Sequence, residues 1–187
     1  MKLLVAIAVV GVLGGLQAMQ TQHLIKAASL TDCGGPNALL TFDQVTLSPD
    51  PVKYPGSINL ELGVTVHSDI PQNAWVYMEF VKQGLIPISL PCLGETGACP
   101  FEFCPAVLTN QETFCTVLPT DENGNCSCPI VPGTYAPSGP ISLEIPNFGS
   151  LVGALLAGNY KGLIELHAPG NRAEKYGCLD LSFRMEL

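Results

Sequence analysis

The stretch Ser57-Ile-Asn-Leu-Glu-Leu-Gly-Val-Thr-Val-His67 alternates between apolar and polar side chains without a break. Ile58, Leu60, Leu62, Val64 and Val66 take every second position, and Ser57, Asn59, Glu61, Gly63, Thr65 and His67 fall between them. A period of two is that of a strand with one buried and one wet face; on a helix the same residues would spread around the whole circumference. The pattern recurs outward from here. Leu179, Leu181, Phe183, Met185 and Leu187 repeat it at the C-terminus, with Asp180, Ser182, Arg184 and Glu186 on the wet side. Tyr160, Gly162, Ile164 and Leu166 make a third apolar face, which leaves His67 and His167 on wet faces. Residues 74–81 are apolar on both faces around Trp75, Tyr77 and Phe80, as a central strand would be, and 85–90 and 42–47 read as shorter strands.

Turn signals separate these runs at Pro49-Asp50-Pro51, Pro55-Gly56, residues 121–124, Pro132-Gly133 and Pro169-Gly170. Sixteen prolines and nineteen glycines disfavour long helices. Short strands at regular spacing imply an all-β, antiparallel sandwich. No repeat, low-complexity tract or linker divides the chain, so it reads as one domain.

The first residues have the form of a secretory signal. Lys2 precedes an apolar run over 3–13, and the small residues Gly14, Gly15 and Ala18 follow. The run is short for a membrane span. Residues 1–18 are therefore expected to be a signal peptide and 19–31 a lead-in, with the folded domain over 32–187. An oxidising compartment agrees with the cysteines, which are eight in number: Cys33, Cys92, Cys99, Cys104, Cys115, Cys126, Cys128 and Cys178. Cys126 and Cys128 face the same side of an extended segment. If the chain doubles back there, Cys128 meets the earlier partner and Cys126 the later, giving Cys104–Cys128 nested around Cys115–Cys126. Cys92 and Cys99 can then close a small loop, and Cys33 and Cys178 tie the two ends. That last bridge closes the longest loop and lies opposite the Leu179/Leu181 face, outside the core.

Sixteen acidic residues against eight basic ones give a net charge of −8 at pH 7, which argues against nucleic acid as a partner. Only 13% of residues are charged and 47% are hydrophobic, a high share for a disulfide-rich domain. Either the core is large or apolar surface faces a ligand. The segment 146–159 breaks the strand pattern. It carries Phe148, Leu151, Val152, Leu155 and Leu156 without a charge, and its glycines weaken any helix. It is either a crossover packed on the core or a lid that touches lipid or membrane. The cysteines have neither the spacing nor the neighbouring histidines of a metal site. No nucleophile elbow, zinc-protease motif or catalytic-cysteine signature is present, so neither an enzyme nor a cofactor is expected. Asn125-Cys126-Ser127 is a formal glycan acceptor whose middle residue is expected in a disulfide.

The strings Leu47-Ser-Pro-Asp-Pro51, Tyr54-Pro-Gly56, Pro91-Cys92, Cys126-Ser-Cys-Pro129, Gly133-Thr-Tyr135, Gly158-Asn-Tyr160 and Gly177-Cys178 follow one another at characteristic spacing. In this the chain resembles the ganglioside activator proteins, lysosomal sphingolipid activators of the ML lipid-recognition superfamily, from about Asp32 to the C-terminus. It departs from them in lacking a glycan sequon after Pro55-Gly56, in having Phe148 where a tryptophan is usual, and in a longer stretch over 146–158. The resemblance implies an immunoglobulin-like β-cup around an apolar lipid cavity and the same four disulfides. It implies a non-enzymatic protein, secreted or lysosomal, that takes a glycosphingolipid or phospholipid from a membrane surface and presents it to a lysosomal glycosidase. The alternative is a secreted lipid-recognition protein acting with a receptor in immunity or signalling. On this reading Ile58, Leu60, Leu62, Val64, Trp75, Tyr77, Ile164 and Leu166 line the lipid pocket, and Phe148, Leu151, Val152, Leu155 and Leu156 form the membrane-facing lid.

Overall fold

A computed structural model describes residues 27–93, 96–97, 99–118, 120–136, 139–145, 147 and 149–187. The expected signal peptide, 1–18, and the lead-in as far as residue 26 lie outside them. In chain order the elements are β1 (Ser29–Asp32), β2 (Leu40–Ser48), β3 (Val52–Lys53), β4 (Gly56–Val66), β5 (Trp75–Gln83), β6 (Ile88–Ser89), β7 (Cys92–Leu93), β8 (Thr96–Gly97) and β9 (Phe101–Glu102). Two short helices follow, α1 (Phe103–Thr109) and α2 (Gln111–Phe114), then β10 (Gly133–Tyr135), β11 (Ile141–Ile145), α3 (Ser150–Leu156), β12 (Gly158–Ala168) and β13 (Asn171–Glu186). Among the described residues no helix is long and apolar enough to cross a membrane.

Apart from the β7–β8 hairpin, the strands form two facing sheets. In the larger, the order is β1-β13-β12-β5-β6, with β3 added in parallel to the end of β13 and β9 to the start of β5. In the smaller, β4 is central: β2 runs along one side, and β10 and β11 lie end to end along the other. The alternating stretch 57–67 thus supplies the spine of its sheet. Strand β2 shows how register protects the pattern. Leu40 and Phe42 occupy even positions and Val45 and Leu47 odd ones, and a bulge between Phe42 and Gln44 restores the phase. All four therefore keep the face of Val66, Val64, Leu62 and Leu60, to which they pair.

A dense core cluster fills one end of the sandwich. Leu40, Val64, Val66, Ile70, Ala74, Val76, Val117, Ile130 and Leu166 form a single buried cluster there. Helices α1 and α2 cover this end, with Phe103 and Phe114 edge to face at 6.3 Å. The alternation gave no sign of either helix. They are too short to show a helical period, and they are pinned by the bridges Cys104–Cys128 and Cys115–Cys126. Cys92–Cys99 closes the β7–β8 loop and Cys33–Cys178 ties the ends of the domain, so all four expected pairs form. Cys178 faces away from Leu179 and Leu181, behind the large sheet, as its position in β13 requires.

Candidate functional site

Strands of both sheets run from this filled base to an open mouth. The mouth is framed by the starts of β4 and β12 and the ends of β5, β11 and β13, which register pairs at Gly56–Ile145, Gly158–Met185 and Asn159–Gln83. Burial falls along the inward face of β4 in that direction. On β4, Val66 and Val64 are buried, whereas Leu62, Leu60 and Ile58 are half-buried. Ile58 pairs with Leu143 of β11, which points the same way and is 45% exposed. A leucine that faces the opposite sheet and still meets solvent marks a space the chain does not fill. Across the gap, β5, β12 and β13 present Met78, Phe80, Ile164, Leu181 and Phe183. Gly162 lies among them, and a Cβ there would come within 2.7 Å of both Phe80 and Leu181, so the glycine lets those two side chains lie flat across it.

The structure brings together Ile58, Leu60, Leu62, Val64, Ile164 and Leu166 on facing inner surfaces, with Val64 and Leu166 in the base core. It does not bring Trp75 and Tyr77 to them. Alternation along β5 turns Val76, Met78 and Phe80 inward, so Trp75 and Tyr77 stand behind the sheet, opposite His167 and Glu165. There the Arg172 guanidinium carbon lies 3.4 Å from the centroid of the Tyr77 ring. His167, expected on a wet face, is buried in the same place, its Nδ1 donating to the Ala168 carbonyl at 2.8 Å. Glu165 is 1% exposed and accepts from Arg172 Nε at 2.6 Å and Lys175 Nζ at 2.5 Å. Burial pushes its carboxyl up, but the hydrogen bonds from Lys175 and Arg172 outweigh this and hold it below the ordinary range. Sequence reading also missed the inward residues of β11, although Ile141, Leu143 and Ile145 repeat the same alternation.

The segment over 146–159 forms helix α3 at the mouth. Phe148 and the side chains of Leu151 and Val152 lie outside the described residues. Gly149 takes a left-handed φ of 93° to start the helix. Gly153 then allows the closest approach: a Cβ there would lie 2.5 Å from the Tyr54 ring and 2.8 Å from Leu187. Three side chains hold α3 through its carbonyls. Tyr54 donates to Gly149 at 3.5 Å, Tyr160 to Leu156 at 2.6 Å, and the Lys82 ammonium to Leu155. The lysine thus meets the negative end of the helix. Tyr160 is itself buried and stacked on Phe183 at 5.3 Å. Leu156 is half-buried, but Leu155 points to solvent at 67% exposure. The β5–β6 turn adds Leu85 and Ile86, 80% and 78% exposed, at the same end. Residues 85–90 were expected to form a strand, but only Ile88 and Ser89 pair, which leaves those two side chains free at the tip. A groove of about 630 Å³ between β5 and α1 and α2 is lined by Met78, Phe101, Ala106 and Phe114, and reaches the inner face through Met78.

The sequence model of the ML domain family matches residues 27–185. A curated relative, the ganglioside GM2 activator of Macaca fascicularis, is 29% identical over 189 aligned positions, covering 91% of this chain and 90% of that protein. The match extends from the first described strand nearly to the end of the last, across base and mouth alike, and the chain belongs to the ML domain family.

Proposed function

We propose that this protein binds a membrane lipid in the open half of its sandwich and presents the headgroup at the mouth to a soluble glycosidase, without catalysing a reaction of its own. The observation that carries the reading is the half-filled interior. Inward-facing Ile58, Leu60 and Leu143 remain partly solvent-exposed while the base is densely packed. Acyl chains laid against these residues would lose about 0.8 kcal/mol per methylene removed from water, so an apolar cavity can supply the affinity without a polar site. The exposed Leu155, Leu85 and Ile86 would rest in the membrane while the lipid transfers. Family membership supports lipid as the ligand class, and the likeness to a ganglioside GM2 activator supports a glycosphingolipid and a lysosomal or secreted setting.

The test is extraction of ganglioside from liposomes by the purified protein at pH 4.7, the sequence pI, and at pH 7. Transfer of lipid into the soluble fraction, and faster hydrolysis when a glycosidase is added, are expected. No extraction at either pH rejects lipid binding; extraction that leaves every added glycosidase unaffected rejects presentation and favours a receptor-linked role.

A further inference from the structure

Asn125 lies in a tight turn at the base end of the molecule. The Asp121 carboxylate accepts the backbone N–H groups of Asn123 at 2.8 Å and Asn125 at 2.9 Å, and Gly124 takes the left-handed φ of 81° that closes the turn. Asn125 and Ser127 are both exposed, whereas Cys126 between them is 2% exposed and bridged to Cys115. The turn belongs to the same disulfide-pinned segment as Val117 and Ile130, which are buried in the base core. The apolar mouth is at the other pole.

We propose that Asn125 is an N-glycan acceptor, loaded before the Cys115–Cys126 bridge closes, and that its glycan stands at the pole away from the lipid mouth. The Asn-Cys-Ser triplet supplies the acceptor amide and the hydroxyl two residues on. In the step itself, Asn125 Nδ2 loses one proton and bonds to the anomeric carbon of an oligosaccharide carried on a polyprenyl pyrophosphate. The carbon–oxygen bond to that carrier breaks, and the pyrophosphate leaves with its electron pair. A transferase must hold the triplet extended. The finished turn prevents this, since Cys126 is buried and both the N–H and the C=O of Asn125 are committed to Asp121. Loading and oxidation therefore compete for the same few residues. Once the bridge has formed, the exposed Asn125 side chain can carry a glycan without displacing any part of the core.

The site rests on the secretory setting of the proposed function. The test is expression of the full chain in a eukaryotic secretory host, with peptide mapping after glycosidase release. A glycan at Asn125 is expected, lost in Asn125→Gln and in Ser127→Ala, with lipid extraction unchanged in both. Delaying oxidation with dithiothreitol during synthesis should raise occupancy severalfold. Exported protein bare at Asn125 under both conditions overturns the site while leaving lipid binding intact. Occupancy indifferent to dithiothreitol overturns the competition. A chain that never enters the secretory pathway overturns both the site and the secretory setting.

Discussion

Glu165 carries a buried charge on the side of the large sheet that alternation would leave wet. Its carboxylate is buried, while its partners Arg172 and Lys175 remain 45% and 40% exposed. Replacing it by glutamine removes both charge-assisted bonds but leaves the two cations free to hydrate, so the loss should be about 1–3 kcal/mol rather than that of a fully buried pair. Because the folded-state value lies below the ordinary 4.5, the ion pairs stabilise the protein above that pH and are lost as pH falls through the lowered value. The melting-temperature advantage of the wild type over Glu165→Gln should therefore be full at neutral pH and shrink in strong acid. An advantage that persists unchanged at about pH 2 would mean the charge is not the stabilising feature. The same region explains why the sequence misleads over Trp75 and Tyr77. Both faces of 74–81 are apolar, so periodicity identifies the strand but not its inner side. The outer side is marked by Arg172 near the start of β13, which lies over the Tyr77 ring, a long-range contact with no local signature.

At the scale of elements, α3 is held by contacts to its backbone and, among its described side chains, points Leu155 outward. Leu155→Ser combined with Leu85→Ser removes two of the most exposed apolar side chains at the mouth. Substitutions at such positions usually change stability by less than about 0.5 kcal/mol. Vesicle binding should fall while the melting temperature stays put; unfolding of the double variant would mean these leucines are core. Gly153→Val makes the opposite prediction. A side chain there meets the Tyr54 ring, so α3 must shift, at a stability loss of about 1–3 kcal/mol visible by thermal melt. A fully stable Gly153→Val protein would show that α3 does not pack as described. The strands of this fold were readable because one-sided burial imposes a period of two on their sequence. Helix α3 was half readable: the i, i+4 spacing of Leu151 with Leu155 and of Val152 with Leu156 suggests a turn of helix, but Gly153 counts against it until the closeness of Tyr54 is known. Helices α1 and α2 were not readable, since Pro105 and their shortness hide them and disulfides set their place.

The whole molecule is acidic but its charge is not evenly spread. Among the described charged residues, Lys53, Lys82, Lys161 and Arg184 lie toward the mouth, on the ends of β3, β5, β12 and β13 nearest to it, together with Glu144 near the end of β11 and Glu186, which pairs with Lys53 at 2.9 Å and with Arg184 at 3.1 Å. Asp69, Glu102, Glu165 and Glu174 lie toward the base, beside Ile70, the start of β5 and the end of β12, where Arg172 and Lys175 pair with Glu165. At pH 7 the net charge of −8 repels an anionic membrane even though, on the proposed reading, Lys82 and Lys161 approach it at the mouth. Near pH 4.7 the net charge vanishes and this repulsion with it. Binding to vesicles containing anionic lipid should therefore strengthen on acidification. It should weaken again at that pH as salt rises from about 0.1 M to about 1 M and the screening length falls from about 10 Å to about 3 Å. Lys161 is exposed on the outer side of β12, away from the lipid cavity, and it isolates the charge effect from the apolar one. With roughly 1 kcal/mol per basic residue near an anionic surface, Lys161→Glu should weaken acidic-pH binding about tenfold. It should leave binding to neutral vesicles unchanged if, as proposed, the leucines of the mouth supply that. Equal loss on neutral and anionic vesicles would place Lys161 in the apolar contact instead, and no loss on either would mean the protein meets the membrane by another face.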